Sequence, residues 1–224
     1  MQKKIIGITP RYYYNDEGKK FLRVSQFYLD YLKNENIISI ILTPSENLSQ
    51  ILDLCDGFLI LGGDDMDPIH YGETNSLNLS KEIDPVIDTI DKQVIDYAVT
   101  NKKPMLGICR GIQSIVAFLG GSLYQDIDHF KLNHPHEGVY HNVTKVENFG
   151  VAKLLPEEFL VNTYHHQCPK DLPKGFKKLF INHDIIEMIE HESLPILATQ
   201  WHPERIDSPE SKIIVNYFIN KLNN

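Results

Sequence analysis

The stretch that decides the fold is Pro104-Met105-Leu106-Gly107-Ile108-Cys109-Arg110-Gly111-Ile112-Gln113. It runs from an apolar strand straight into a helix, with Cys109 at the junction. Glycines two positions before and two after Cys109 leave room for a tight strand-to-helix turn that exposes the sulfur. The helix that begins there points its free N–H groups and the positive end of its dipole at the junction, an environment that favours a thiolate nucleophile. Taken alone, the pattern is equally typical of a cysteine buried for packing.

Other apolar runs in the first half alternate with segments of helical period, which predicts a mostly parallel sheet with helices on both faces. Helices are predicted over Phe21–Asn34 and Pro85–Asn101, and Asp84 can cap the second of these. Ser208-Pro209 is predicted to open a final helix. The predicted strands are Lys4–Ile8, Ile37–Leu42, Gly57–Leu61 and Pro104–Ile108.

The second half is less regular and predicts an antiparallel extension of the sheet. Its strand-like runs are separated by short polar turns. They cover Val139–Glu147, Lys178–Ile181, Ile185–Glu190 and Ile196–Gln200. With 224 residues and no repeat or linker, residues 1–224 are expected to form one α/β domain.

Composition narrows the class of protein. A formal net charge of −8 argues against nucleic-acid and anionic-membrane partners, both of which need a basic face. The apolar run after Met1 is too short for a signal peptide or a membrane span, so a cytoplasmic protein is expected. Three unpaired cysteines suggest neither a disulfide framework nor a zinc site. Cys55 and Cys168 lack a strand-to-helix turn and are interpreted as structural.

A candidate base follows Cys109 by 93 residues in the segment Ala198-Thr-Gln-Trp-His-Pro-Glu204. In an extended chain residues i and i+2 share a side, so Glu204 can orient one imidazole nitrogen of His202 while the other faces Cys109. This is the logic of a nucleophile–base–orienter triad. By itself a His-Pro-Glu sequence is more typical of a surface turn.

Together, Gly107–Gln113 and Gln200–Glu204 resemble the class I glutamine amidotransferase superfamily in order and spacing. Further segments narrow the resemblance to the free-standing branch similar to γ-glutamyl-γ-aminobutyrate hydrolase, peptidase family C26. These segments are Asp56–Pro68, Tyr71-Gly72, Gly120–Ile127 and Val161–Gln167. The resemblance implies a three-layer, flavodoxin-like sandwich and a hydrolase that cleaves a γ-glutamyl amide bond without a cofactor.

The resemblance also assigns roles to residues. Cys109, His202 and Glu204 match the catalytic triad. Gly63 and the backbone of Arg110 match the two donors of an oxyanion hole. Residues matching the substrate side are Gly62, Gln113, Tyr164 and His165. Val116 and Thr163 depart from the Asn and Ser usual in relatives, which affects the packing behind the turn and the shape of the pocket.

Two other clusters do not predict metal sites. His129, His134, His136 and His141 do not share a helix face, and the predicted chemistry needs no metal. Asp64, Asp65 and Asp67 are more simply a solvated turn beside Gly62-Gly63.

Two functional alternatives stay open: a glutaminase subunit that delivers ammonia to a separate synthase, and a non-catalytic module that kept the fold. Within the leading hypothesis the partner is a small γ-glutamyl molecule, and the amine beyond the scissile bond is undetermined. The loops Arg11–Lys20 and Leu77–Ile83 are expected to read that amine. The state of assembly is open as well, a homodimer included.

Overall fold

A computed structural model describes residues 3–133 and 138–223 of the chain. The strands are β1 Lys4–Ile8, β2 Arg11–Tyr14, β3 Lys20–Arg23, β4 Ile37–Ile41, β5 Gly57–Ile60, β6 Met105–Ile108, β7 Leu123–Tyr124, β8 Tyr140–Lys145, β9 Glu158–Asn162, β10 Cys168–Pro169, β11 Phe176–Asn182, β12 Ile185–His191 and β13 Ile196–Thr199. The α-helices are α1 Gln26–Tyr31, α2 Leu48–Asp53, α3 Pro85–Thr100, α4 Arg110–Phe118 and α5 Pro209–Lys221. Short 3₁₀ helices cover Pro68–Tyr71, Gly150–Leu154 and Pro203–Arg205.

Nine strands form one mixed sheet in the order β4-β1-β5-β6-β13-β12-β11-β8-β9. The first five are parallel to one another and follow the 2-1-3-4-5 order of the flavodoxin-like fold. The last four continue the sheet as antiparallel hairpins, as the sequence predicts for the second half. Open parallel sheets of this type bind ligands outside the carboxyl ends of their strands.

Two apolar cores, one on each face of the sheet, make the three layers. Alternation along β5 sends Leu59 and Leu61 into one core and Phe58 and Ile60 into the other. The first core is closed by α1 and α5, and the second by α2, α3 and α4. The predicted three-layer sandwich is therefore confirmed.

The predicted helix over Phe21–Asn34 is wrong in its first part. Lys20–Arg23 is instead a strand of a two-stranded hairpin with Arg11–Tyr14, and α1 covers only Gln26–Tyr31. The turn explains the difference: the side chain of Asn15 accepts hydrogen bonds from the amides of Glu17 and Lys19, which closes the hairpin. The Lys20 ammonium then lies 3.5 Å from the centre of the Tyr12 ring, a cation–π contact across the two strands.

The other long elements agree with the sequence to within one or two residues at most ends. Asp84 and Ser208 cap α3 and α5 through their side chains, as predicted. The sequence reading missed α2 and β9, both short and without a clear period. No helix in the described ranges is long and apolar enough to cross a bilayer.

Candidate active site

Cys109 occupies the predicted turn, between the end of β6 and the first residue of α4. Its backbone has φ 55° and ψ −110°, a strained conformation for a residue with a side chain. The Cys109 amide donates to the Thr199 carbonyl at 2.8 Å, so neighbouring strand β13 holds the turn in place. Such strain costs about 1–3 kcal/mol and persists where the surrounding fold over-determines it.

His202 and Glu204 lie just beyond β13, which is hydrogen-bonded to β6 in the sheet. His202 Nδ1 is 2.6 Å from Glu204 Oε1, and both side chains are buried. Asn162, at the end of β9, fixes the His202 backbone on both sides: its Oδ1 accepts from the His202 amide and its Nδ2 donates to the His202 carbonyl, each at 2.9 Å. The imidazole is thereby held in one orientation.

Cys109 and His202 converge on the same point of the structure. A Cβ placed on Gly62 would lie 2.8 Å from His202 Cε1 and 3.3 Å from Cys109 Cβ. Burial lowers the pKa of His202, but the charge and hydrogen bonding of Cys109 and Glu204 outweigh it and raise the pKa to about 10. The raised pKa keeps the His202 imidazole protonated near neutral pH, between the Cys109 sulfur and the Glu204 carboxyl group.

Cys109 and His202 line a cavity of about 600 Å³ beyond the carboxyl ends of the parallel strands, and Glu204 lies behind His202. The cavity floor is Cys109, Gly62 and His202, and Tyr164 forms one wall, with its ring centre 5.8 Å from that of His202. A second cavity of about 420 Å³ adjoins it. The two share the lining residues Arg11, Tyr12, Arg23 and Asp64.

Gly62 and Gly63 form the loop that lies beside Cys109 at the cavity. The Gly62 amide donates to the Tyr28 hydroxyl at 3.1 Å. A Cβ on Gly63 would lie 2.5 Å from Arg11 Cδ, so Arg11 fills the space on that side of the loop. Arg110 is the first residue of α4, where a backbone N–H has no partner within the helix. Gly63 lines the cavity, and Arg110 follows Cys109 directly and lines the adjoining cavity. Their roles as oxyanion donors stay predictions.

The predicted substrate-side residues are placed unequally. Tyr164 and Gly62 line the cavity, whereas Gln113 is buried behind Cys109. Gln113 Nε2 donates to the Gln167 carbonyl at 3.1 Å and lies 3.3 Å from Gln200 Oε1. His165 is buried as well, with Nδ1 3.1 Å from the Gln167 carbonyl. The roles assigned to Gln113 and His165 stay predictions.

The acidic turn after Gly63 is tied to the substrate-side loop. His166 lies 3.0 Å from Asp65 and 3.2 Å from Asp126, and hydrogen bonding to Asp65 raises the pKa of His166 to about 9 against a smaller effect of burial. Asp67 caps the 3₁₀ helix Pro68–Tyr71. Of the histidines set aside above, His134 and His136 lie outside the described residues. Among the residues that are described, no group of three or more His, Cys, Asp or Glu could hold a metal ion.

Sequence reasoning missed the side chains that support this site. The sequence predicts Arg11 in a loop that reads the amine and Tyr28 in the helix Phe21–Asn34, and it gives no role to Asp88 and Asp91 in the helix Pro85–Asn101. All four are buried, and they contact the loop or the first turn of α4. The Asp pair carried one available signal: a three-residue spacing places both on the same face of α3 as the apolar stripe.

The two remaining cysteines differ from Cys109 as predicted. Both are buried away from the cavity. Burial raises the pKa of Cys55 to about 11 and raises that of Cys168 further. Neither thiol is suited to ionise near neutral pH.

Comparison with known proteins identifies the family. The model of the peptidase C26 family matches residues 4–204. The chain belongs to the peptidase C26 family. Among C26 relatives, "Putative glutamine amidotransferase-like protein YvdE" of Lactococcus lactis is 34% identical over 89% of this chain and 90% of its own length. Gamma-glutamyl-gamma-aminobutyrate hydrolase PuuD of Escherichia coli is 31% identical over 70% of this chain and 67% of its own length.

Solved structures share the fold of this C26 chain. One, described as a "putative gmp synthase subunit a protein" of Thermoplasma acidophilum, superposes with a TM-score of 0.71 at 22% identity, covering 100% of this chain and 96% of its own. A glutamine amidotransferase of Thermotoga maritima gives 0.64 at 18% identity, with 100% and 85% coverage. The fold is that of class I glutamine amidotransferase-like proteins.

Proposed function

We propose that this C26 protein hydrolyses the γ-glutamyl amide bond of a small γ-glutamyl conjugate and releases glutamate. The observation that carries the proposal is the convergence of Cys109, at a strained turn, with a buried His202–Glu204 pair on one cavity. Similarity to the Escherichia coli hydrolase supports the bond class. The substrate is a small molecule, because the reacting side chains lie inside a cavity rather than on an open surface.

In the first half of the reaction, the Cys109 thiolate attacks the γ-carbonyl carbon. A C–S bond forms, the carbonyl π electrons move to oxygen, and the amides of Gly63 and Arg110 stabilise that oxyanion. His202 donates its proton to the amide nitrogen as the C–N bond breaks. The amine leaves and a γ-glutamyl thioester stays on Cys109.

In the second half, neutral His202 takes a proton from water while the water oxygen attacks the thioester carbonyl. The C–S bond then breaks, the thiolate returns to Cys109, and glutamate departs. Glu204 keeps Nδ1 protonated through both halves, so Nε2 always faces the reacting atoms. His202 gains one proton and loses one in each cycle.

The shape of the site supports a conjugate larger than glutamine. The cavity above Cys109 continues into the second cavity past Arg11, Tyr12 and Arg23. The hairpin of β2 and β3 and residues Glu82 and Ile83 line that extension. These segments include parts of the two loops predicted to read the amine. The leaving amine therefore has space of its own.

Glutamate release from a panel of γ-glutamyl amines and peptides tests the proposal. The wild-type protein should release glutamate from at least one conjugate, and Cys109→Ala should abolish the release. Cys168→Ala is the matched control, because Cys168 is also buried but does not line the cavity of Cys109 and His202. Full activity in Cys109→Ala would refute the mechanism.

The second candidate function is a glutaminase subunit that supplies ammonia to a synthase. The name of the Lactococcus relative and that of the Thermoplasma structure favour testing it. Glutamine as sole substrate, with activity that appears only when a partner protein is added, would replace the first proposal. Activity of the isolated chain on a larger conjugate would support hydrolysis.

A further inference from the structure

A single carboxylate connects the two sides of the predicted oxyanion hole. Asp91, on the buried face of α3, has no exposed side-chain surface. Its Oδ1 and Oδ2 accept from Arg11 Nη1 at 3.0 Å and Nη2 at 3.1 Å. The same Oδ2 accepts from Arg110 Nη1 and from Ser114 Oγ. Arg11 and Arg110 thus meet on Asp91.

Arg11 uses its remaining donors on the loop that faces Cys109. Nε donates to the Gly62 carbonyl at 3.0 Å, and Nη2 donates to the Leu61 carbonyl. Nη1 also donates to the Pro10 carbonyl at 2.8 Å. Every nitrogen of this buried guanidinium therefore donates a hydrogen bond, and two of them donate to consecutive carbonyls of the loop.

Peptide geometry converts these contacts into an orientation. The Gly62 carbonyl and the Gly63 N–H belong to one trans peptide unit, in which they point in opposite directions. Holding the carbonyl on Arg11 therefore directs the Gly63 N–H away from Arg11. The preceding unit is held the same way, with the Leu61 carbonyl on Arg11 and the Gly62 N–H on Tyr28. Tyr28 and Cys109 both border that opposite side.

We propose that Asp91 is a positioning residue that fixes both oxyanion donors at once, the Gly63 amide through Arg11 and the Arg110 amide through the Arg110 side chain. This inference rests on the proposed function, since it assigns the roles of oxyanion donors to those amides. Asp91 touches no reacting atom. It acts through the two arginines.

Stability alone gives a poor reason for this arrangement. Burying charged groups costs several kcal/mol each, and well-packed apolar residues often replace buried ion pairs without loss. An apolar replacement could not hold two consecutive carbonyls in a set direction. A hydrogen-bond donor misplaced by about 1 Å costs roughly 10²-fold in rate. The orientation of the loop amides is therefore the property that the Asp91 network supplies.

Steady-state kinetics of Asp91→Asn and Arg11→Lys test the proposal. Each should lower kcat by roughly 10- to 100-fold while KM stays within about threefold, because the lost interaction acts on the transition state. The double variant should lose little more than the worse single variant, since the two residues act in series. Additive losses would show that Asp91 does not act through Arg11.

Asp88→Asn is the matched control. Asp88 lies one turn before Asp91, is equally buried and also accepts from Arg110, but it makes no hydrogen bond to Arg11. We expect its kcat to fall less than that of Asp91→Asn. Equal losses for the two would mean that general destabilisation of the network, rather than the link to the glycine loop, sets the rate.

A second measurement separates this inference from the proposed function and does not need hydrolysis. Propanal adds to the Cys109 sulfur to give a hemithioacetal. A C–S bond forms, the carbonyl π bond breaks, and the aldehyde oxygen takes the proton that the thiol gives up. That oxygen lies at the position proposed for the oxyanion of the hydrolysis reaction. Reversible protection of Cys109 against iodoacetamide reports this adduct. Asp91→Asn and Arg11→Lys should weaken protection about tenfold or more while direct alkylation stays within twofold, because displacement by iodoacetamide forms no oxyanion.

The outcomes are distinct. Weakened protection with unchanged alkylation supports the positioning role, even if no γ-glutamyl conjugate is cleaved and the proposed function fails. Unchanged protection in soluble Arg11→Lys overturns the positioning role, even if glutamate release is observed in the wild type. If Asp91→Asn does not fold, Arg11→Lys still tests the proposal. Lysine keeps the positive charge at residue 11 but lacks the forked guanidinium that donates to the Leu61 and Gly62 carbonyls.

Discussion

The Nδ1 atom of His202 lies 2.6 Å from Oε1 of Glu204. The two residues are two positions apart in the chain, and both side chains are buried. The contact fixes which nitrogen of the imidazole faces Cys109. It also contributes to the raised pKa of His202, alongside Cys109 itself. A protonated His202 beside the Cys109 sulfur is therefore the state that this geometry favours near neutral pH.

Replacing Glu204 by Gln should lower kcat by roughly 10²- to 10⁴-fold, because the amide cannot balance the imidazolium and favours the wrong tautomer. Steady-state glutamate release measures the loss, and iodoacetamide labelling of Cys109 at pH 6.5 should slow in parallel. Retention of wild-type labelling and turnover would contradict the triad. The exposed Glu192→Gln serves as the control.

Replacing Tyr28 by Phe should reduce both stability and turnover. The buried Gly62 amide would lose its acceptor, which costs about 1–3 kcal/mol, and the loop beside Cys109 would loosen. Urea unfolding and kcat are the measurements. Tyr31→Phe, in the same helix, removes a hydrogen bond of 2.9 Å to the Ser211 carbonyl and should lower stability without changing kcat. Equal kcat losses in the two variants would argue against a role for Tyr28 in the site.

Stability should depend on pH through His166. Asp65 and Asp126 raise its folded pKa to about 9 from an unfolded value of about 6.5. The contribution of the pair is therefore complete below about pH 6.5 and is lost as the pH rises through about 9. The thermal midpoints of wild type and His166→Gln should differ most near pH 6 and converge near pH 10. Asp65→Asn should show the same convergence, and a difference that grows with pH would contradict the assignment.

A buried His–Glu pair behind the substrate-side loop gives a further test. His141 Nε2 lies 2.9 Å from Glu187 Oε1, and His141 Nδ1 lies 2.6 Å from Thr163 Oγ1. Leaving a buried polar group without its partner costs about 1–3 kcal/mol, so His141→Leu should lower the free energy of unfolding by that order in urea. Adding Glu187→Met should recover part of the loss, because the buried carboxyl group is then removed as well. No recovery would mean that the unpartnered Glu187 carboxyl group is not the cause.

The candidate site residues could be predicted from the sequence because they lie in local patterns. Gly107-Ile108-Cys109-Arg110-Gly111 specifies a strand-to-helix turn through its glycines, and His202 and Glu204 share a side through a spacing of two. Strands β1, β5 and β6 and helices α3 and α5 followed equally local signals of apolar period and capping. The hairpin of β2 and β3 escaped because a turn closed by Asn15 overrides the helical period of Phe21–Asn34.

Sequence by itself thus determined the layered α/β fold and the family, and it predicted the pattern of nucleophile, base and orienter. Tertiary structure alone decided what supports them: Arg11 and Asp91 are 80 residues apart, and Tyr28 and Gly62 are 34 apart. No periodicity links such positions, because each contact arises where the carboxyl ends of separate parallel strands meet a helix. The physical reason is burial. The position of the Arg11 guanidinium is set by the carbonyls and the carboxylate that accept its hydrogen bonds. These groups come together only when the sheet and both helix layers have packed against each other.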